Sequence, residues 1–322
     1  MSPFFKPLIY CFAALFLPFA LKVSASEPPT VLASIKPLQL ISQAITSGVS
    51  ETDVLLSPGA SPHSYSLRFS DRKKLDSADL VLWIGSDMEV FLSGLMEDRK
   101  PASVLTMIDV PGISQRPTEE VDQHDHGHEG DHEGHGHTHS HGSYDPHIWL
   151  NPDNALAMAK AITSKLVGMD TDVKNKAKYQ ANLAAFEQAL KVSDERNKKL
   201  LAGLQEKPFF VFHDAFGHLE GYFGLNIAGT FTLSPEQQPG AKHLKQLRER
   251  LEAAGHTSIF REPQFEPKYI SQLTEGLPVK IGVLDPLGSD ITNTKDGYIQ
   301  FMNALVDTLH DSLCEKSKPV HS

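Results

Sequence analysis

Four residues far apart in the chain, His63, His147, His213 and Asp285, have side chains suited to holding a metal ion. Three neutral imidazole nitrogens and one carboxylate oxygen make a four-coordinate donor set of the kind zinc prefers. Each residue alone also fits a plainer role, because a His or Asp at a strand end commonly hydrogen-bonds its own loop. The chain holds no short ligand spacing such as His-Glu-x-x-His or Cys-x-x-Cys. Only a fold can bring these four together.

A second group of histidines is dense rather than sparse. Eight of the 16 (His124, His126, His128, His132, His135, His137, His139 and His141) fall in one stretch. Residues 117–146 also carry eight acids and no Lys or Arg, so −8 of the net −10 comes from thirty residues. Gly, Asp and alternating His without apolar periodicity predict a disordered loop over 118–144. Its imidazoles offer shifting auxiliary coordination sets, and its acids attract cations. Their affinity is expected to be low, since ordering a floppy segment costs conformational entropy. Of the rest, His218 is expected on the surface or behind the ligands, and His243, His256, His310 and His321 are expected to be exposed.

The elements that must position the sparse set follow an alternating strand–helix pattern, which predicts an α/β class with mostly parallel sheets. In the first half, strands are expected at 31–36, 53–57, 80–85 and 104–109, with helices near 39–46, 70–77 and 88–96. Asn151 can cap a helix that has Pro152 at its first position. Residues 168–170 then offer a break, with Asp170 as a fresh cap. Tyr179, Leu183, Phe186 and Leu190 fall on one helical stripe, so 170–204 reads as one helix about 50 Å long, a strut between two lobes. In the second half, strands are expected at 209–213, 227–232, 258–262 and 279–284. Helices are expected at 216–223, 241–254, 268–275 and 296–314.

The architecture expected is therefore two α/β lobes, each with a mostly parallel four-stranded sheet flanked by helices, joined by a long rigid helix. The lobes span 26–165 and 207–322, with the connector at 166–206. Ligands of open parallel sheets gather at the carboxyl ends of strands, where His63, His213 and Asp285 sit. Trp149 and the run 209–212 read as core.

The first 25 residues carry Lys6, an apolar run over 8–21, and small residues at Val23 and Ala25. This predicts a signal peptide cut after Ala25 and a soluble product exported to a bacterial periplasm. A run of about 14 residues is too short to span a bilayer. Removing it takes away Lys6 and Lys22, leaving 28 basic against 40 acidic residues and a net −12. It also takes Cys11, so Cys314 has no partner for an internal disulfide. The acidic balance argues against nucleic acid as a partner.

Four motifs occur in order: Pro58-Gly59-Ala60-Ser61-Pro62-His63-Ser64-Tyr65, Asp145-Pro146-His147-Ile148-Trp149-Leu150, Val211-Phe212-His213-Asp214-Ala215-Phe216 and Gly282-Val283-Leu284-Asp285-Pro286-Leu287-Gly288. With Glu262-Pro263-Gln264-Phe265, they resemble the metal-binding (cluster A-I, or cluster 9) family of ABC-transporter solute-binding proteins, and within it the high-affinity zinc-uptake members. The resemblance implies Zn(II) held as a transported ligand in an interlobe cleft by His63, His147, His213 and, in the fourth position, Asp285, a place that some zinc members keep for water or for another acid. It further implies delivery to an inner-membrane ABC permease with its ATPase, a monomeric protein and no enzymatic activity. Manganese and iron relatives usually have a carboxylate where this chain has His213, and imidazole there favours zinc. Some members carry an acid just before the first histidine, where this chain has Pro62. Two rival readings remain on the same residues. One is a secreted zinc-dependent hydrolase, which needs a general base beside the metal. The other is a metal-binding surface adhesin on the same fold, against which the absence of a lipobox speaks.

Overall fold

The computed structural model describes residues 27–118, 144–232, 239–265 and 268–314. The expected signal peptide and the eight clustered histidines lie outside the described residues, as does His321. Strands β1 (Val31–Ala33), β2 (Thr52–Val54), β3 (Leu80–Trp83) and β4 (Val104–Thr106) form a sheet of order β2-β1-β3-β4, parallel throughout. Strands β5 (Pro208–His213), β6 (Asn226–Thr232), β7 (Thr257–Arg261) and β8 (Val279–Val283) form a second sheet of order β6-β5-β7-β8, again all parallel. Two helix-flanked parallel sheets are the architecture the alternating pattern predicts.

The first-half strands stop two to three residues short of the expected ends. The residues beyond them turn out of the sheet to build loops, yet their amides keep ladder-like bonds: Ser34 donates to Leu82 O (2.8 Å) and Leu55 to Ala33 O (2.8 Å). The helix expected at 88–96 is instead a 3-10 turn at Val90–Leu92 running into the short α3 (Ser93–Glu97), with α1 (Lys36–Thr46) and α2 (Phe69–Ser77) before it.

Helix α4 (Pro152–Met169) begins as expected, with Asn151 Oδ1 accepting the Asp153 N–H at 2.8 Å. The break after it differs. Asp170 ends α4 and is taken up by side chains: its Oδ2 accepts from Tyr179 Oη (2.9 Å) and Asn175 Nδ2 (3.0 Å). The new cap is Asp172, which accepts the Lys174 N–H at 2.8 Å, so α5 runs over Val173–Leu201. At 29 residues it is about 43 Å long. Tyr179, Phe186 and Leu190 on its stripe are buried.

The second half adds α6 (Gly217–Phe223), α7 (Ala241–Ala254), α8 (Lys268–Leu273) and α9 (Gly297–Cys314). Residues of β5 alternate between two apolar clusters, as a pleated strand requires. Phe209 and Val211 join the main core, which also takes in the first half, while Phe210 and Phe212 pack with Phe231, Leu247 and Leu251. Helix α5 packs on α1, α4 and α9, and α9 also packs on α1. The two halves are thus tied along their backs. Tyr298 of α9 donates to Trp149 O at 2.8 Å, with its ring centroid 5.8 Å from that of Phe186. Among the described residues no helix is long and apolar enough to cross a membrane.

Candidate metal centre

His63 sits in the loop that leaves the carboxyl end of β2. That loop is pinned by Tyr65, which donates to Asp71 Oδ2 at 2.8 Å and packs its ring 5.4 Å from that of Phe91. The His63 amide donates to Ser61 Oγ at 3.3 Å. His147 precedes the 3-10 turn Ile148–Leu150, and its backbone N–H and Nδ1 both engage Asp145 Oδ1, at 3.0 and 2.8 Å. His213 is the last residue of β5. The neighbouring β7 ends one residue before Glu262, whose Oε1 accepts a hydrogen bond from His213 Nδ1.

With both Nδ1 atoms committed to carboxylates, His147 and His213 present bare Nε2 lone pairs. These face each other at 3.3 Å. Two lone pairs at that distance repel unless a proton or a metal ion lies between them. Two nitrogens bound tetrahedrally at about 2.05 Å from an ion stand about 3.3 Å apart. His63 completes the group: its ring centroid is 5.4 Å from that of His147 and 5.6 Å from that of His213. One ligand atom from each of the three lies within 4.8 Å of the others. The residues present therefore fit a tetrahedral ion with one position left over.

Charge is arranged behind the rings. Burial acts to raise the Asp145 pKa, but the hydrogen bond and charge of His147, then the charge of His218, outweigh it and hold the carboxyl below its usual range. Burial acts to lower the His213 pKa, but the charge and hydrogen bond of Glu262 prevail, helped by Asp214 and Asp145, and raise it. Asp214 is pushed up, first by burial and then by the charge of Asp145.

The structure brings three of the four expected residues together; Asp285 stays apart. Its Oδ1 accepts from the Leu287 N–H and Gln264 Nε2, both at 3.0 Å, and its Oδ2 from the Ser289 N–H at 2.6 Å. Its carboxylate thus caps the turn after β8, and it is not among the residues whose ligand atoms converge. Gly288 (φ 60°) lets the turn lie against α9, where a Cβ would come within 2.6 Å of Phe301. His218 is not on the surface: it is buried, with Nε2 3.1 Å from Asp145 O. His243 is half-buried, its Nε2 2.9 Å from Thr230 O, while His256 is exposed. Trp149 is fully buried, donates to Pro286 O at 2.7 Å, and sets its ring 5.3 Å from that of His147.

Residues 31–312 match the family model described as zinc-uptake complex component A, periplasmic (ZnuA). The chain belongs to this family. The high-affinity zinc uptake system protein ZnuA of Yersinia pestis is 41% identical over 283 residues, covering 85% of this chain and 88% of the relative. The protein of the same name from Haemophilus ducreyi is 42% identical over 292 residues, covering 88% and 93%. Among solved structures, the periplasmic zinc-binding protein TroA from Treponema pallidum superposes with a TM-score of 0.73 at 20% identity, covering 89% of this chain and all of that one. A crystal structure of ZnuA gives 0.70 at 24%, covering 89% and 99%. At such identities these structures speak to the ZnuA-type fold alone.

Proposed function

We propose that this chain is the periplasmic zinc-binding component of a high-affinity zinc importer, with Zn(II) as its cargo and His63, His147 and His213 as the ligands. The observation that carries the reading is the 3.3 Å approach of two imidazole Nε2 atoms whose Nδ1 atoms are each held by a carboxylate. Family membership supports the same cargo. In this reading the leader is removed after Ala25, and the loaded protein passes its ion to an ABC permease driven by its ATPase. The long α5 and the return of α9 onto the first half make the two lobes and their connector a stiff frame, so the ion leaves after a small shift.

Space and acid–base chemistry both favour a carrier over a hydrolase. The free volume beside the three histidines is about 10 Å³, roughly that of one water and far below a substrate. Glu262, the acid lining it, is engaged by His213, and Asp145 is engaged by His147.

The test is competitive zinc titration of the wild type, a deletion of 122–142 and His63→Ala. Four-ligand zinc sites bind with about 10–16 kcal/mol, or about 3 kcal/mol per ligand, which predicts about a hundredfold loss for His63→Ala. One tight site should survive the deletion. A His63→Ala protein that binds as tightly as wild type removes the ligand assignment. Loss of all tight binding on deletion would place the site in the histidine-rich segment instead.

A further inference from the structure

Three histidines leave a tetrahedral ion one position short, and Asp285 is tied to its own turn. Beyond the three histidines, the small cavity is walled mostly by apolar groups such as Pro62, Phe265 and Leu287; its polar side chains are Ser61, Glu262, already engaged by His213, and Gln264. The Gln264 carboxamide is fixed at one end: Nε2 donates to Asp285 Oδ1 at 3.0 Å and to Ser289 Oγ at 3.2 Å. A carboxylate can only accept, so the amide nitrogen must face Asp285 and the amide oxygen must face away. That oxygen, Oε1, is buried and has no hydrogen-bond partner among the described residues. A buried acceptor left unpaired costs about 1–3 kcal/mol. It marks a place where a donor belongs.

The resemblance already allows a water in the fourth position; resting on the zinc-receptor reading, we propose that Gln264 is the residue that positions such a water, its Oε1 accepting a hydrogen bond from it. Asp285 acts one bond further out, as the group that orients Gln264. The cavity has room for one water. Water on zinc is acidified and so is a strong donor. A neutral carboxamide satisfies that water without adding a negative ligand, which leaves the ion held by three neutral imidazoles and easier to release. Gln264 is a positioning residue here, acting on the metal through the water.

The experiment uses the full mature chain loaded with Co(II) in ¹⁷O-enriched water, with EPR line broadening as the readout for a metal-bound water. Zinc competition titrations of the wild type, Gln264→Met and Asp285→Ala accompany it. Broadening is expected in the wild type and in Asp285→Ala alike, because neither has a carboxylate on the metal. Gln264→Met should weaken zinc by about 10–150-fold, the worth of a charge-assisted hydrogen bond. No broadening in the wild type, or zinc affinity of Gln264→Met within twofold of wild type, overturns the proposal. Should Gln264→Met fail to fold, the broadening in the wild type and Asp285→Ala still decides. A wild type that fails to bind zinc would instead defeat the receptor reading, which is a separate result.

Discussion

Glu262→Gln probes the site through its electrostatics while leaving the ligands in place. A carboxamide has the volume of the carboxylate and can still accept from His213 Nδ1, but it carries no charge. Outer groups that orient a metal-bound imidazole are worth about 10–100-fold in affinity, or about 1.4–2.7 kcal/mol. That loss should be largest at the alkaline end of the range, where protons compete least with zinc. Protons compete with zinc for the same lone pairs, and His213 in the wild type holds its proton to a higher pH than an ordinary histidine. Removing the Glu262 charge leaves burial, which lowers the His213 pKa, as the largest influence. As pH falls, the wild type therefore begins to lose zinc first. The gap between wild type and variant should shrink from pH 8 toward pH 6. Competition against a chromophoric chelator from pH 5.5 to 8.5, with apo-protein melts as a folding control, reads both effects. Parallel affinity–pH curves, or equal affinity at pH 8, would refute the role given to Glu262.

Two further outcomes concern the frame that holds the site. Glu89 is fully buried at the carboxyl end of the first sheet, and burial lifts its pKa to about 7 against the hydrogen bonds from Ser34 and the Gly85 and Ile84 amides. Its folded pKa lies above its unfolded one, so its stabilisation is complete below about pH 4.5 and is lost as pH rises through about 7, a swing of ~3 kcal/mol. In urea denaturation Glu89→Gln should flatten that dependence and gain on the wild type at pH 8; an unchanged pH profile would show that Glu89 does not titrate there. Trp149→Phe strands the buried Pro286 carbonyl and should cost about 1–3 kcal/mol beyond the lost packing. A denaturation midpoint equal to wild type would mean that the Trp149–Pro286 bond contributes nothing.

The sequence announced the architecture because strand–helix alternation is a local signal. Turn residues such as Asn151-Pro152 mark helix starts wherever nothing tertiary competes. Asp170 shows the limit: locally it is as good a cap as Asp172, but Tyr179 and Asn175 reach back to claim it. The three histidines were legible as types, and Asp145 could have been noticed two positions before His147. Glu262 could not be assigned from spacing, because its role depends on β7 lying beside β5. Gln264 was harder still, since it is singled out only by an unsatisfied atom. Asp285 looked like a ligand because a carboxylate at a strand end suits either a metal or a turn. The amides of Leu287 and Ser289 show it in the turn role, and only the fold could reveal them as its partners.

The distribution of the proposed ligands along the chain bears on how such a site would let go. His63 and His147 come from the first half and His213 from the second, so any relative movement of the halves changes the 3.3 Å separation of the His147 and His213 Nε2 atoms. If that edge opens by about 1 Å, equal tetrahedral bonds to both nitrogens stretch to about 2.6 Å, well beyond the roughly 2.0–2.1 Å that zinc accepts. One of the two bonds is then lost. A wide hinge is unnecessary, and the packing of α5 and α9 across both halves would resist one. The Trp149–Pro286 bond crosses between the halves beside His147 and close to the Asp285 turn. In the proposed role, force applied to either half at that point would reach His147 through Trp149, so a stiff frame could still combine capture with release.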